Sequence, residues 1–98
     1  MTIDKKANGS ELTITLVGRL DTTTAPKLEA ELRTSLSGIT ELFFDFAQLE
    51  YISSAGLRVI LAAQKVMNRQ GSMVIRNVNE TVNEVFDITG FSDILTIE

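Results

Sequence analysis

Ser54 is the residue whose type and position best suit it to chemistry. It lies in the turn Ser53-Ser54-Ala55-Gly56, ahead of a segment with helical periodicity. A serine at such a junction sits beside the unpaired N–H groups of the first helical turn, where it can cap the helix and contribute about 1 kcal/mol. It can also accept a phosphate, because the positive end of a helix stabilises a dianion. Both roles stay open, since a capping hydroxyl can itself be the acceptor.

Gly56 and Asp21 are the next residues of interest. Gly56 permits either the close approach of another backbone or a special backbone dihedral, or it is only a small residue of the first helical turn. Asp21 follows a predicted strand, where an isolated acid usually serves a turn or a cap. It would orient the Ser54 hydroxyl, or a metal carried by a partner, only if the sheet brings the two loops together. A phosphate-binding loop needs more glycine than this, so nucleotide binding is not expected.

The composition excludes several kinds of enzyme and of metal site. The chain has no cysteine and no histidine, which rules out disulfides, thiol and Ser–His catalysis, and thiolate or His-ligated zinc sites. Lys65 lies about 16 Å from Ser54 along a helix that rises about 1.5 Å per residue. A nucleophile and its base must lie about 3 Å apart. We therefore expect a protein that is not an enzyme and that uses no cofactor, metal or small-molecule substrate.

Charge and hydropathy patterning argue against nucleic acid and membrane as partners. The net charge is -4, and the nine basic residues are scattered rather than gathered into a stripe. Arg58, Lys65 and Arg69 could line one helix, although a solvated helix face is the simpler explanation. No stretch approaches the ~20 apolar residues of a membrane span, and residues 1–6 lack the apolar run of a signal peptide. We expect a cytoplasmic protein.

Hydrophobic periodicity predicts one α/β domain over residues 1–98, in the order β-β-α-β-α-β-α-β. This order implies a mixed β-sheet of about four to five strands and three helices, with parallel pairs joined by right-handed crossovers. A hairpin is expected at Asn8-Gly9, Gly18 should end the second strand, and Ala47–Ile52 should be a connector. The expected strands are Thr2–Lys6, Leu12–Val17, Ile39–Phe46, Ser72–Asn77 and Ile94–Ile97.

The third strand and the second helix are unusually apolar. The third strand lacks strict alternation, as expected of a central strand that is covered on both faces. The second helix is apolar over more than one stripe, so it is either deeply buried or keeps part of its surface for a partner. The first helix should follow Thr24 as its N-cap and close at Ser37-Gly38. The other two helices are expected over Leu57–Arg69 and from Asn79-Glu80 to Thr89.

Two segments resemble the STAS domain, and more narrowly the single-domain bacterial anti-sigma-factor antagonists. Chain length and element order also fit, so the resemblance covers the whole chain, and residues 53–57 are its most specific part. The matching residues are Gly18-Arg19-Leu20-Asp21 with Thr24-Ala25, and Leu49-Glu50-Tyr51-Ile52-Ser53-Ser54-Ala55-Gly56-Leu57 with Val59-Ile60-Leu61.

The resemblance implies a partner-switching cycle. In that family the unphosphorylated antagonist binds an anti-sigma factor that is also a serine kinase, and a sigma factor is freed for transcription. The kinase phosphorylates a serine at the start of the second helix, and a PP2C-type phosphatase restores the antagonist. The family motif, Asp-Ser-Ser/Thr-Gly-Leu, places that serine at Ser54. Here Ser53 stands in place of the Asp, as a secondary acceptor candidate, and Ala55 replaces the second hydroxyl residue.

We expect the partner-binding surface to comprise nine residues around this turn. The alternative is a non-phosphorylated STAS scaffold or interaction module of another bacterial signalling complex, whose partner binding would be indifferent to substitution of Ser54 by Asp. The expected surface residues are Asp21, Thr22, Thr23, Ser53, Ser54, Ala55, Gly56, Arg58 and Val59.

Overall fold

Helices alternate with strands after an opening β-hairpin, which confirms the predicted α/β class. The computed structural model describes residues 1–98. Its helix α3 has the predicted range, whereas α2 begins earlier than predicted, at Ser54. The elements are β1 (Thr2–Asn8), β2 (Glu11–Leu20), α1 (Ala25–Ser35), β3 (Glu41–Ile52), α2 (Ser54–Gln70), β4 (Ser72–Arg76), α3 (Glu80–Thr89) and a 3-10 turn (Phe91–Asp93).

The four strands form one mixed sheet in the order β1-β2-β3-β4. β1 is antiparallel to β2, and β2, β3 and β4 are mutually parallel. Asn8 pairs with Glu11, so the hairpin loop is Gly9-Ser10, one residue later than predicted. Gly9 has φ +63° and Ser10 does not have a positive φ, as in a type II′ turn with glycine at its first central position.

All three helices pack against one face of the sheet. Every second residue is buried there in the first part of β2, from Leu12 to Leu16, and in the first half of β3. These residues belong to a single cluster that also holds the apolar stripes of the helices. On the opposite face Phe43 and Asp45 are only half-buried, and the Arg76 guanidinium lies 4.2 Å from the centroid of the Phe43 ring. The prediction that the third strand is covered on both faces is therefore wrong. No helix has the length and apolar character needed to cross a membrane.

β2 and β3 are both longer than predicted. Gly18, with φ +104°, does not end β2, because pairing with β3 continues to Leu20. Residues 47–52 belong to β3 and are not a connector. The register shifts twice, so that β3 holds one extra residue at each shift. Such bulges break the alternation of buried and exposed residues, which is why the periodicity missed this half of the strand.

The predicted last strand is reduced to one bridge. The chain winds through the 3-10 turn, and Leu95 is then buried in the core. Only Ile97 forms a β-bridge, parallel to Ile75 of β4. Two backbone hydrogen bonds flank it, from Ile75 N to Thr96 O and from Glu98 N to Ile75 O, both 2.9 Å. The winding of residues 91–93 leaves too few extended residues for a full strand.

Adjacent phenylalanines on β3 test the one-sided packing. Phe44 is fully buried among the helices, whereas Phe43 is half-buried on the open face. We expect Phe44→Ala to lower the free energy of unfolding by about 3–5 kcal/mol, and Phe43→Ala to lower it by less than about half of that. Urea denaturation of the two variants makes the comparison, and equal losses would mean that both faces are packed.

Candidate functional site

The start of α2 and the loop after β2 meet at one end of the sheet. Leu20 and Ile52 are paired as the last residues of two parallel strands. Ser53 N donates a hydrogen bond to Leu20 O at 2.9 Å, which ties the beginning of the helix to the end of β2. The carboxyl ends of parallel strands are the usual place for binding sites in open α/β sheets.

Ser53, not Ser54, caps α2. Its backbone is extended, with φ −97° and ψ 176°, and its Oγ accepts a hydrogen bond from Gly56 N at 3.3 Å. The helix then begins at Ser54. The capping role that the sequence analysis left open for Ser54 thus falls on its neighbour, whose hydroxyl is already engaged in the fold.

Ser54 presents a free hydroxyl at the helix start. The residue is exposed and is the first in helical conformation. Its hydroxyl makes no hydrogen bond with any other group of the protein, unlike that of Ser53. Because the residue is exposed, this oxygen has access to solvent. It also sits at the positive end of the helix, close to the N–H groups of the first turn.

Gly56 is required by a close approach, in which the nearest atoms are two side-chain carbons and one backbone oxygen. A Cβ atom at this position would lie 2.7 Å from Leu20 Cγ, 2.9 Å from Ile52 Cγ1 and 3.0 Å from Leu20 O. These distances are shorter than normal van der Waals contacts. Only glycine lets the first turn of α2 rest against the ends of β2 and β3.

Asp21 organises its own loop. Its Oδ1 accepts from the Thr23 hydroxyl at 2.8 Å, from Thr23 N at 3.0 Å and from Thr24 N at 3.3 Å. The hydrogen bond from the Thr23 hydroxyl is the main reason that the pKa of this carboxyl is lowered from its ordinary value of 3.8, against a smaller opposing effect of desolvation. The carboxylate makes no hydrogen bond to Ser54, so the orienting role considered for it is not found.

Thr24 holds the same loop together. It occupies the N-cap position of α1, as predicted, but its hydroxyl does not bond to the helix. The hydroxyl donates instead to Arg19 O and accepts from Asp21 N, both at 2.8 Å. The Arg19 guanidinium lies 4.7 Å from the Tyr51 ring centroid. The loop is therefore shaped by its own side chains before any partner is present.

A shallow depression of about 220 Å³ joins this loop to α2. It brings together four of the residues predicted for partner binding, Thr22, Ala55, Arg58 and Val59, whereas Ser53, Ser54, Gly56, Asp21 and Thr23 lie around it at the helix start and in the loop. The contribution of α1 to this lining was not predicted from the sequence. The full lining is Thr22, Ala25, Pro26, Glu29, Ala55, Arg58 and Val59.

An apolar groove of about 280 Å³ adjoins the depression, and the two share Glu29 and Val59. It lies between α1 and α2 and explains the broad apolar surface of α2. Most of that surface is buried in the core, but Ala62 is exposed and Val66 is 38% exposed in the groove. The apolar stripe of α1 and the excess apolar width of α2 were the signals for it in the sequence. The groove residues are Glu29, Leu32, Arg33, Leu36, Val59, Ala62, Ala63 and Val66.

Comparisons with known proteins identify a family. The model of the STAS domain matches residues 2–98. The chain is 39% identical to the Bordetella bronchiseptica protein BtrV over 84 residues, which are 84% of this chain and 72% of that protein. It is 30% identical to the anti-sigma-B factor antagonist of Bacillus subtilis over 96 residues, which are 97% of this chain and 88% of that protein.

The fold is also shared with solved structures. The Bacillus cell fate determinant SpoIIAA, in its phosphorylated form, superposes with a TM-score of 0.77. The match covers 99% of this chain and 91% of that chain, at 19% sequence identity. At this level of identity the likeness establishes the fold alone.

The two serines should differ in their effect on stability. Ser53→Ala removes the cap of α2, and we expect the free energy of unfolding to fall by about 1 kcal/mol. Ser54→Ala removes an exposed hydroxyl without a partner, and we expect a change within about 0.5 kcal/mol. Thermal or urea denaturation of both variants measures the difference. A larger loss for Ser54→Ala would contradict the assignment of the cap.

Proposed function

Because the chain belongs to the STAS domain family, we propose that it is an anti-sigma-factor antagonist that works by partner switching. It binds an anti-sigma factor in the cytoplasm, and a sigma factor is thereby freed for transcription. The names of relatives that align over most of both chains support this role. The proposed role is one of binding and requires no catalytic activity of this chain.

The observation that carries the regulatory part of the proposal is the free hydroxyl of Ser54. The Ser53 hydroxyl is hydrogen-bonded as the cap of α2, whereas the Ser54 hydroxyl is exposed at the helix start and makes no hydrogen bond. We propose that the anti-sigma factor is a serine kinase and that Ser54 is its acceptor. The Ser54 Oγ forms a bond to the γ-phosphorus of ATP, ADP leaves, and the hydroxyl proton passes to a base of the kinase. A PP2C-type phosphatase hydrolyses the phosphoserine and resets the cycle.

A phosphate on Ser54 would alter the binding surface by charge. It would add nearly two negative charges at neutral pH to a chain whose net charge is -4. It would also stand beside the depression that Thr22, Ala55 and Arg58 line. A partner that docks there would then face a hydrated dianion beside its contact surface, so its affinity should fall.

The surface proposed for the partner runs from the loop after β2 along the groove between α1 and α2. Thr22, Ala55, Arg58 and Val59 line its first part, and Val59, Ala62 and Val66 continue it as an apolar strip. Apolar side chains of an anti-sigma factor would remove this strip from water. Asp21 and Thr23 would act by holding the shape of the loop.

A constitutive interaction module is the second candidate function. It is favoured by the fact that the depression and the groove are formed without any modification. A STAS scaffold in another bacterial signalling complex could use the same surface permanently. The two candidates differ in one respect, which is whether binding responds to Ser54.

Phosphorylation tests the first candidate directly. Incubation with the anti-sigma factor kinase and ATP should add one phosphate to the wild-type chain, detected by intact mass, and peptide mapping should place it on Ser54. Ser54→Ala should abolish the gain, whereas Ser53→Ala should retain it, because Ser53 only caps the helix. Absence of phosphate on the wild type would favour the constitutive module.

Charge at position 54 should weaken partner binding. We expect Ser54→Asp to raise the dissociation constant for the anti-sigma factor by about tenfold, or about 1.4 kcal/mol, because it places an anion on the docking surface. Ser54→Ala, which has no charge, is the matched control and should bind like the wild type. Isothermal titration calorimetry gives both values. Equal affinities for the two variants would count against a charge-based switch.

A further inference from the structure

Arg58 lies one helical turn after Ser54 on the exposed side of α2. Side chains four residues apart on a helix lie on the same face, with Cβ atoms roughly 5–6 Å from each other. Both residues are exposed. Arg58 makes no ion pair and no side-chain hydrogen bond, whereas Arg19, Arg33 and Arg76 all have acidic partners. A long basic side chain without a partner is thus within reach of the free hydroxyl.

The acidic groups around Arg58 are already committed to other partners. Glu29 faces it across the depression, but its carboxylate lies 2.7 Å from Arg33 Nη2. Asp21 is bonded within its own loop and lies 3.9 Å from Arg19 Nε. Arg58 is also the one basic residue among those that line the depression. The depression therefore holds a single unpaired cation next to the hydroxyl proposed as phosphate acceptor.

We propose that Arg58 is the internal counter-ion of a phosphate on Ser54, and that phosphorylation withdraws this cation from the partner-binding surface. The inference rests on the proposed function, since it concerns the phosphorylated state of the same site. A guanidinium presents several N–H donors in a planar fork, which can bind two phosphate oxygens at once. In the unphosphorylated chain the same donors point to solvent beside the depression, where an acceptor group of the partner can use them.

This pairing would make phosphorylation act twice on the partner surface. The phosphate adds an anion at residue 54, and Arg58 is drawn away from Thr22 and Ala55 towards that anion. A partner that donates a carboxylate or carbonyl oxygen to Arg58 would lose this contact as well as meeting the phosphate. Substitution of Ser54 by Asp supplies less charge and a shorter side chain, so it would reproduce only part of the change.

The titration of the phosphate itself tests the pairing. Phosphoserine is installed at position 54 during synthesis by codon reassignment, so that no kinase is needed, and its second ionisation is followed by ³¹P NMR at low salt. The second pKa of an unpaired phosphoserine is about 6. A neighbouring cation favours the dianion and lowers this pKa. We expect Arg58→Gln to raise the midpoint by about half a pKa unit, which is about threefold in proton affinity.

Arg69→Gln is the matched control, because it removes the same charge from an exposed position at the other end of the same helix. We expect it to leave the midpoint within about 0.1 unit of the parent, since exposed charges this far apart are screened. Arg58→Lys keeps the charge without the fork and should give a midpoint between those of the parent and Arg58→Gln. In about 1 M salt the difference between the parent and Arg58→Gln should shrink, as expected of an exposed ion pair.

Equal midpoints for the parent and Arg58→Gln at low salt would overturn the proposal. An equal shift in Arg69→Gln would overturn it too, because the effect would then belong to the net charge of the helix. Failure of the kinase assay on Ser54 would be a different result, since it would remove the proposed regulation while leaving the titration of the installed phosphoserine unaffected. Amide spectra of the variants confirm that α2 is intact in each sample.

Discussion

The candidate site depends on the contact between the first turn of α2 and the end of β2. Because residue 56 has no side chain, the turn rests directly against Leu20 and Ile52. The hydrogen bond from Ser53 N to Leu20 O then fixes the residue at which the helix begins. Ser53 becomes the cap and Ser54 faces solvent as a consequence of that starting point. A helix that began one residue later would make Ser54 the cap.

That contact in turn depends on two parallel strands that end side by side. β3 has 12 residues and β2 has 10, and the two register shifts absorb the difference so that Leu20 and Ile52 are paired. Beyond the first shift the buried residues of β3 recur every third position, at Phe46, Leu49 and Ile52. The bulges therefore keep the strand in the core while they carry its end to the site. Bulges are over-represented next to active sites, where they re-aim a side chain or end the pairing of two strands.

Local signals in the sequence were sufficient to predict the elements that local interactions define. Asn79 caps α3 by accepting from Val82 N at 2.8 Å, and Gly90 ends it with φ +80°, as the residue types indicate. The second half of β3 could not be predicted, because its bulges form only against β2. The sequence alone could not show that Ser53 rather than Ser54 is the cap, because two adjacent serines are equally good caps. The hydrogen bond that decides between them is donated by Ser53 N to Leu20 O, 33 positions earlier in the chain. The groove could not be predicted either, because it forms only when α1 and α2 pack side by side.

The departure of this chain from the family motif follows from the same geometry. Position 53 is the N-cap of α2, and aspartate and serine cap helices almost equally well, so Ser53 preserves the helix start where the motif has an acid. The change also removes a negative charge next to Ser54, and Arg58 stands one turn away without an acidic partner. Both features would lower the electrostatic cost of a phosphate on Ser54. In the proposed cycle, recognition by a kinase would depend instead on the unmodified surface, at the loop after β2 and in the groove. Arg58 would then serve both states of the proposed cycle, since it also lines the depression proposed for the partner.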